Sequence, residues 1–176
     1  MPDAPGLELI RSEINDRHPD AVLETSFDHA QAALIADPEQ ILDVLRWLRD
    51  TPGQEYTFLS SVHAADYLPA EPRFGVHYEL LNRNRVERVR VRAALADPGG
   101  AILPEIDSCV GLFPTADFPE REVYDFFGIV FRGHPDMRRI LMPEDYEGYP
   151  QRRDFPMGGE PVLFTFNEHK MPRWYE

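Results

Sequence analysis

Apolar residues recur along the chain with two periods, and the switches between them mark out the elements. Leu7, Leu9, Ile10 and Ile14 fall near one helical face and Pro19 stops the pattern after His18, which predicts a first helix ending near Arg17. Ala21 to Phe27 and Gln31 to Ala36 read as two short strands around an Asp28-His29 turn. Asp37-Pro38-Glu39 then starts a second helix: the aspartate can cap it, the proline suits its first turn, and Ile41, Leu42, Leu45 and Leu48 follow at helical spacing until Pro52-Gly53.

The period then shortens. Tyr56 to Ala64, Arg73 to Asn82 and Val86 to Leu95 predict three strands, the last two joined as an antiparallel hairpin by the polar turn Asn82-Arg83-Asn84-Arg85. Arg88-Val89-Arg90-Val91-Arg92 alternates, so one face buries valine while the other holds arginine in water or against acids. Asp97-Pro98-Gly99-Gly100 interrupts the pattern. Beyond it, Leu103 to Leu112 reads as a short helix carrying Cys109 inward and ended by Phe113-Pro114. Glu120 to Phe127 reads as another, with Gly128 placed to end it in the left-handed conformation.

From Arg132 onward Pro135, Pro143, Pro150, Pro156, Pro161 and Pro172 recur among charges and aromatics, which argues against regular structure. The order of elements predicts an α+β fold: two N-terminal helices packed on a mixed or antiparallel sheet over 1–131, followed by an extended, partner-binding C-terminal arm over 132–176.

Composition narrows the function. A hydrophobic fraction of 43% in 176 residues is enough for one sizeable core. A net charge of -13 excludes a nucleic-acid binder, whose phosphate affinity comes from clustered Lys and Arg. Lys170 is the single lysine; every other cation is arginine, which suits bidentate carboxylate pairing as well as it suits a GC-rich genome. The one cysteine, Cys109, can hold neither a disulfide within the chain nor, alone, an iron-sulfur or thiolate zinc site. No apolar run reaches the length of a membrane span and Met1-Pro2-Asp3 lacks the features of a signal peptide, so membrane contact is expected only through other proteins.

The richest chemistry lies between Glu120 and Leu141. On a helix Arg121 and Asp125 are four apart and meet on one face, while Val123, Phe126 and Phe127 supply apolar anchors. Aromatic and arginine anchors of this kind make interface hot spots, and a helix capping its own core with surface ion pairs uses the same residues. Other chemistries find less support. His63, Asp66, His77, His134 and Asp136 have no recognised metal-ligand spacing, which leaves a free-standing metal-dependent hydrolase as a remote alternative. Cys109 shows no activating base, Glu120 and Glu122 diverge on a helix, and Glu144-Asp145 with Glu147 lacks the calcium-loop pattern. No glycine-rich nucleotide fingerprint occurs.

Glu120-Arg121-Glu122-Val123-Tyr124-Asp125-Phe126-Phe127-Gly128, then Gly133-His134-Pro135-Asp136-Met137-Arg138-Arg139, and later Pro150-Gln151-Arg152-Arg153-Asp154-Phe155, closely resemble the signature of the C subunit of proton-translocating NADH:quinone oxidoreductase, respiratory complex I. Phe58 to Tyr67, Arg73 to Leu81 and Ala116-Asp117-Phe118 fit the same pattern, so the resemblance spans Ile41 to Pro156. Phe118, Tyr149 and Arg153 stand where the family often has Trp, His and Lys, departures that remove no charge or anchor.

The resemblance implies a peripheral-arm subunit that binds no cofactor itself, in a complex that uses FMN, iron-sulfur clusters and quinone. It would clamp a D-type (49 kDa-like) partner subunit, on the cytoplasmic side of a bacterial plasma membrane. The implied partner-interface residues are Glu120, Arg121, Glu122, Tyr124, Asp125, Phe127, His134, Asp136, Arg138, Arg139, Arg152, Arg153, Asp154 and Phe155, none of them catalytic. Homologous subunits of membrane-bound hydrogenases or of ferredoxin- or other-donor-linked quinone reductases share the motif, and a free-standing adaptor is a further alternative.

Overall fold

The arginine–valine alternation lies near the middle of a five-stranded sheet. The computed structural model describes residues 2–29 and 31–156, and in chain order it begins with α1 (Ala4–Arg17), capped by the Asp3 carboxylate on the Gly6 amide. Leu7, Ile10 and Ile14 are its buried stripe; Leu9, expected on that face, points to solvent. β1 (Val22–Asp28) and β2 (Gln31–Ala36) form the first hairpin. Asp37 caps a 3-10 turn over Pro38–Gln40 that leads into α2 (Ile41–Asp50), so the predicted start signal operates one turn before the α-helix proper. β3 (Phe58–Asp66), β4 (Phe74–Asn82) and β5 (Glu87–Leu95) follow as an antiparallel meander.

The strand order is β1-β2-β5-β4-β3, with β2 and β5 parallel and every other pair antiparallel, which makes the sheet mixed. Val76, Tyr78 and Leu80 of β4 and Val89, Val91 and Ala93 of β5 point to one face, where they join Leu34, Leu45, Leu48 and Ile14 in the core. On the opposite face Ile35, Arg92, His77 and His63 lie in one row across four strands, with Ala33, Arg90, Glu79 and Ser61 in the next. The arginines are thus on the wet face, as the alternation predicts, and Arg90 pairs there with Glu79.

The segment Leu103 to Leu112 is not a helix. Its centre is a short strand, β6 (Glu105–Asp107), which pairs in parallel with β7 (Val130–Arg132), and Cys109 follows in a turn, buried as expected. A helix and a strand both bury Ile106, and the ladder partner that decides between them is remote in sequence. Pro104 contributes a carbonyl to this pairing, accepting from the Val130 amide, where a helix interior would have lost a hydrogen bond. A 3-10 turn (Pro114–Ala116) then opens α3 (Asp117–Phe127), and Gly128 ends it at φ 68° as predicted. No helix among the described residues is long and apolar enough to cross a membrane.

Candidate functional site: helix α3 and the arm folded on it

No helix or strand occurs in 133–156, as the proline spacing predicts. This stretch does not, however, extend away from its domain; it is fastened to it at three places, and the arginines and aspartates of the signature make the fastenings.

The first is built around Asp125, which α3 carries toward the arm. Its Oδ1 accepts from Arg139 Nη1 at 2.7 Å, and its Oδ2 accepts the backbone N–H groups of Ile140, Leu141 and Met142 at 3.1, 2.7 and 2.8 Å. Burial alone would raise this carboxyl's pKa; the three amides and the guanidinium outweigh it and hold the group below the ordinary carboxylate range. Arg139 also donates to the carbonyls of Asp125, Tyr146 and Gly148, and lies over the Tyr146 and Tyr149 rings. Arg121 does not meet Asp125 as the helical spacing suggested. It reaches across to the carbonyls of Arg138 and Arg139, both at 3.1 Å, while Asp125 is held by Arg139 and the arm amides.

The second fastening lies at the two ends of α3. His134 accepts the Asp136 amide on Nδ1 and so carries its proton on Nε2, which donates to the Asp117 carbonyl at 3.1 Å from a fully enclosed ring. At the other end the Phe126 carbonyl takes the Gln151 amide, and the Phe127 carbonyl takes Arg152 Nε at 2.6 Å. These are the carbonyls a helix C-terminus leaves unpaired. Tyr149 lies against Gly128 so closely that a Cβ there would stand 2.5 Å from its ring, so glycine serves both the left-handed φ and the contact. Tyr124 meets Tyr149 edge-on, and Phe155 stacks on Tyr146.

The third joins the arm to the sheet. Arg73, buried at the head of β4, pairs with Asp66 at 2.8 Å and with Asp97 and Asp154 at 2.7 Å. Asp66 also accepts the amides of Leu68 and Arg153, and Arg153 donates to the Leu68 carbonyl. Burial opposes ionisation of Asp66, yet Arg73 and the two amides lower its pKa to about 2. Asp66, a metal-ligand candidate by residue type, is thus an ion-pair residue, and its partner Arg73 and the nearby Asp97 belong to no predicted interface motif. Their signal is that Asp66 and Arg73 flank a loop holding Pro69 and Pro72, where opposite charges close the ends.

Of the predicted interface residues, then, Glu120, Asp125 and Phe127 are enclosed, and Arg121, His134, Arg139 and Arg152 bind their own chain. Glu120 accepts from the Ser108 hydroxyl at 2.6 Å and the Cys109 amide at 2.8 Å; burial pushes its pKa up and pushes the Cys109 thiol far up, which leaves no thiolate nucleophile. Arg153 and Asp154 are exposed but tied to Asp66, Leu68 and Arg73 of their own chain, whereas Glu122 and Arg138 are exposed, as are the apolar side chains of Phe118 and Leu141. Asp136 pairs with Arg138 through two hydrogen bonds on that surface. No group of three or more His, Cys, Asp or Glu is placed to hold a metal among the described residues.

Fold and site define an α+β domain whose ionic groups shape a long arm against its own third helix. A family model described as the respiratory-chain NADH dehydrogenase 30 Kd subunit matches residues 34–161. The C subunit of NADH-quinone oxidoreductase from Roseiflexus sp. (strain RS-1) is 40% identical over 97% of this chain and 94% of its own length. The protein of the same name from Roseiflexus castenholzii is 44% identical over 87% of this chain and 86% of its own. A chain in the structure of the membrane-bound sulfane sulfur reductase, an archaeal respiratory membrane complex, shares the fold with a TM-score of 0.67 at 26% identity over 85% of each chain. The chain belongs to the family of the respiratory-chain NADH dehydrogenase 30 kDa subunit.

Proposed function

We propose that this chain is a peripheral-arm subunit of a proton-translocating NADH:quinone oxidoreductase, binding no cofactor itself, and that the arm, 132–176, presents it to a D-type subunit. The supporting observation is the economy of the arm's charges. Arg139, Asp125, Arg121 and Arg152 fix its path internally, while Glu122 on α3 and Arg138 and Leu141 on the arm are exposed. A surface held rigid before its partner arrives loses little entropy on docking. FMN, the iron-sulfur clusters and quinone belong to other subunits on this reading, in keeping with the single, buried cysteine. Attachment to the cytoplasmic face of a bacterial plasma membrane would come through those partners. Part of the arm, 157–176, lies outside the described residues.

A second reading is favoured by the likeness to a chain of the sulfane sulfur reductase: the same scaffold in a respiratory complex with another electron donor. The sequence relatives point to NADH. Purification through a tag on this chain in mild detergent decides between them. An assembly that oxidises NADH with quinone and contains FMN supports the first reading; an assembly of several different subunits without NADH oxidation supports the second. Recovery of the chain alone would refute both.

A further inference from the structure

Arg92 stands apart from the other inward-lying arginines. In a chain of net charge -13 it is half-buried, yet among the described residues its side chain makes no hydrogen bond and no ion pair, and its Nε is shielded from solvent without a partner. Its guanidinium is laid over the Tyr67 ring at 4.5 Å, which fixes its plane but satisfies none of its N–H groups. Beside it His77 is 5% exposed, with Nε2 bonded to the Tyr67 hydroxyl at 3.0 Å and Nδ1 buried without a partner.

These three side chains converge over Gly75, where a Cβ would come within 2.9 Å of the Tyr67 ring and 3.2 Å of both Arg92 Nε and His77 Nε2. The place is therefore built: a glycine clears the floor, an aromatic ring orients the cation, and two buried nitrogens are left over. Buried polar atoms without partners are uncommon, and the shielded Arg92 Nε–H, a donor, calls for an acceptor. Glu79, an acid in the next row of this face, is already engaged by Arg90. Glu24 stands across β2, opposite Ile35, and is not paired with Arg92.

We propose that the face of the sheet turned away from the helices is a second docking surface, on which Arg92, held between the Tyr67 ring and the buried His77, receives the carboxylate of an aspartate or glutamate carried by another subunit of the assembly. The planar fork of arginine matches a carboxylate, and the strong acidity of the chain opposes capture of a free anion from solution. An acid brought in on a partner already bound through the arm escapes that penalty, because its effective concentration is high. The inference rests on the assembly reading above.

Carbodiimide coupling in the detergent-purified complex tests it. In Arg92→Lys the new amine should form an amide with an Asp or Glu of another subunit, identified by mass spectrometry. Arg90→Lys, which should couple to Glu79 of the same chain, shows that the reagent reaches this face. Coupling of residue 92 only to this chain or to a second copy of it, or no coupling at 92 while 90 reacts, would overturn the proposal. Arg92→Glu should melt like the unaltered chain in isolation while recovery in the complex drops about tenfold, and a basic residue at the coupled partner position should restore it. Unchanged recovery overturns the proposal. So does protection of the isolated chain against heat by free glutarate that Arg92→Gln abolishes, which would assign the site to a small dicarboxylate. If the unaltered chain enters no complex, the assembly reading itself fails, a result distinct from loss of the docking site alone.

Discussion

Asp125 and Arg139 close a fourteen-residue span with one ion pair at 2.7 Å, and the carboxylate's second oxygen gathers three consecutive amides of the arm. The side chain of the adjacent Arg138 is exposed and, among the described residues, bonds only Asp136 beside it. The two neighbouring arginines should therefore behave differently. Arg139→Ala leaves a buried carboxylate and three carbonyls short of a donor, at a cost of about 3 kcal/mol, which for a domain of this size is a fall in Tm of ~6–12 °C. Arg138→Ala should stay within about 0.5 kcal/mol in the isolated chain and show its effect in recovery of the complex. Thermal melts paired with tag purification separate the two. Equal melting temperatures for both variants would contradict the clamp.

Arg73 holds three aspartates, and the Asp66 pKa of about 2 converts this into an acid dependence. A carboxyl with a folded pKa below its unfolded value stabilises fully above the unfolded pKa, near 3.9, and its contribution is lost as pH falls through 2. Asp66→Asn should thus cost about 2 kcal/mol at neutral pH, with the difference from the unaltered chain shrinking between pH 4 and pH 2. Urea unfolding across that range measures it; a difference that does not shrink would show that the pair is not ionic.

His77 works through a higher window. Burial foremost, then His63 stacked 5.0 Å away and the charges of Arg90 and Arg92, lower its pKa to about 3, while the Tyr67 hydroxyl is bonded to its Nε2. The unfolded chain takes up this proton near pH 6.5 and the folded one near 3, so stability drops as pH falls through that interval, by of the order of 4 kcal/mol at its lower end. His77→Gln should flatten the pH dependence of urea unfolding between those limits. A slope unaltered by the substitution would assign it to other groups.

Gly128 meets two demands, and a double-mutant cycle divides them. Gly128→Ala should cost about 1–2 kcal/mol for the left-handed φ and about 1–3 more for contact with Tyr149. Combining it with Tyr149→Ala should return the second amount and leave the first. Strict additivity of the two substitutions would mean that ring and glycine do not touch.

Reading the sequence found every strand of the large sheet and all three α-helices, because each carries its own period: Val89 and Val91 alternate with arginine, and Ile41, Leu45 and Leu48 repeat at helical spacing. The Leu103 to Leu112 segment failed for the complementary reason. Three residues of β6 hold too short a pattern to be read locally, and the decision rests with Val130–Arg132. At the site the residues were legible and their partners were not. Charges and aromatics at Arg139, Arg152 and Asp154 look alike whether they face another chain or their own, and only the return of the arm onto α3 and Arg73 shows that much of the signature is spent internally.

The parallel pairing of β2 with β5 sets the order in which the sheet can be completed. The meander of β3, β4 and β5 closes through short turns, whereas joining β2 to it brings Ala33 beside Arg90 across the whole intervening chain. Closing a long loop costs more entropy than closing a turn, and contacts distant in sequence slow folding. During synthesis the N-terminal hairpin therefore leaves the ribosome with an unmatched strand edge and waits for Leu95 to emerge. A nascent chain stalled shortly before that point has a half-made sheet open on the side where β5 belongs, and that is the stage at which it would have most need of a chaperone.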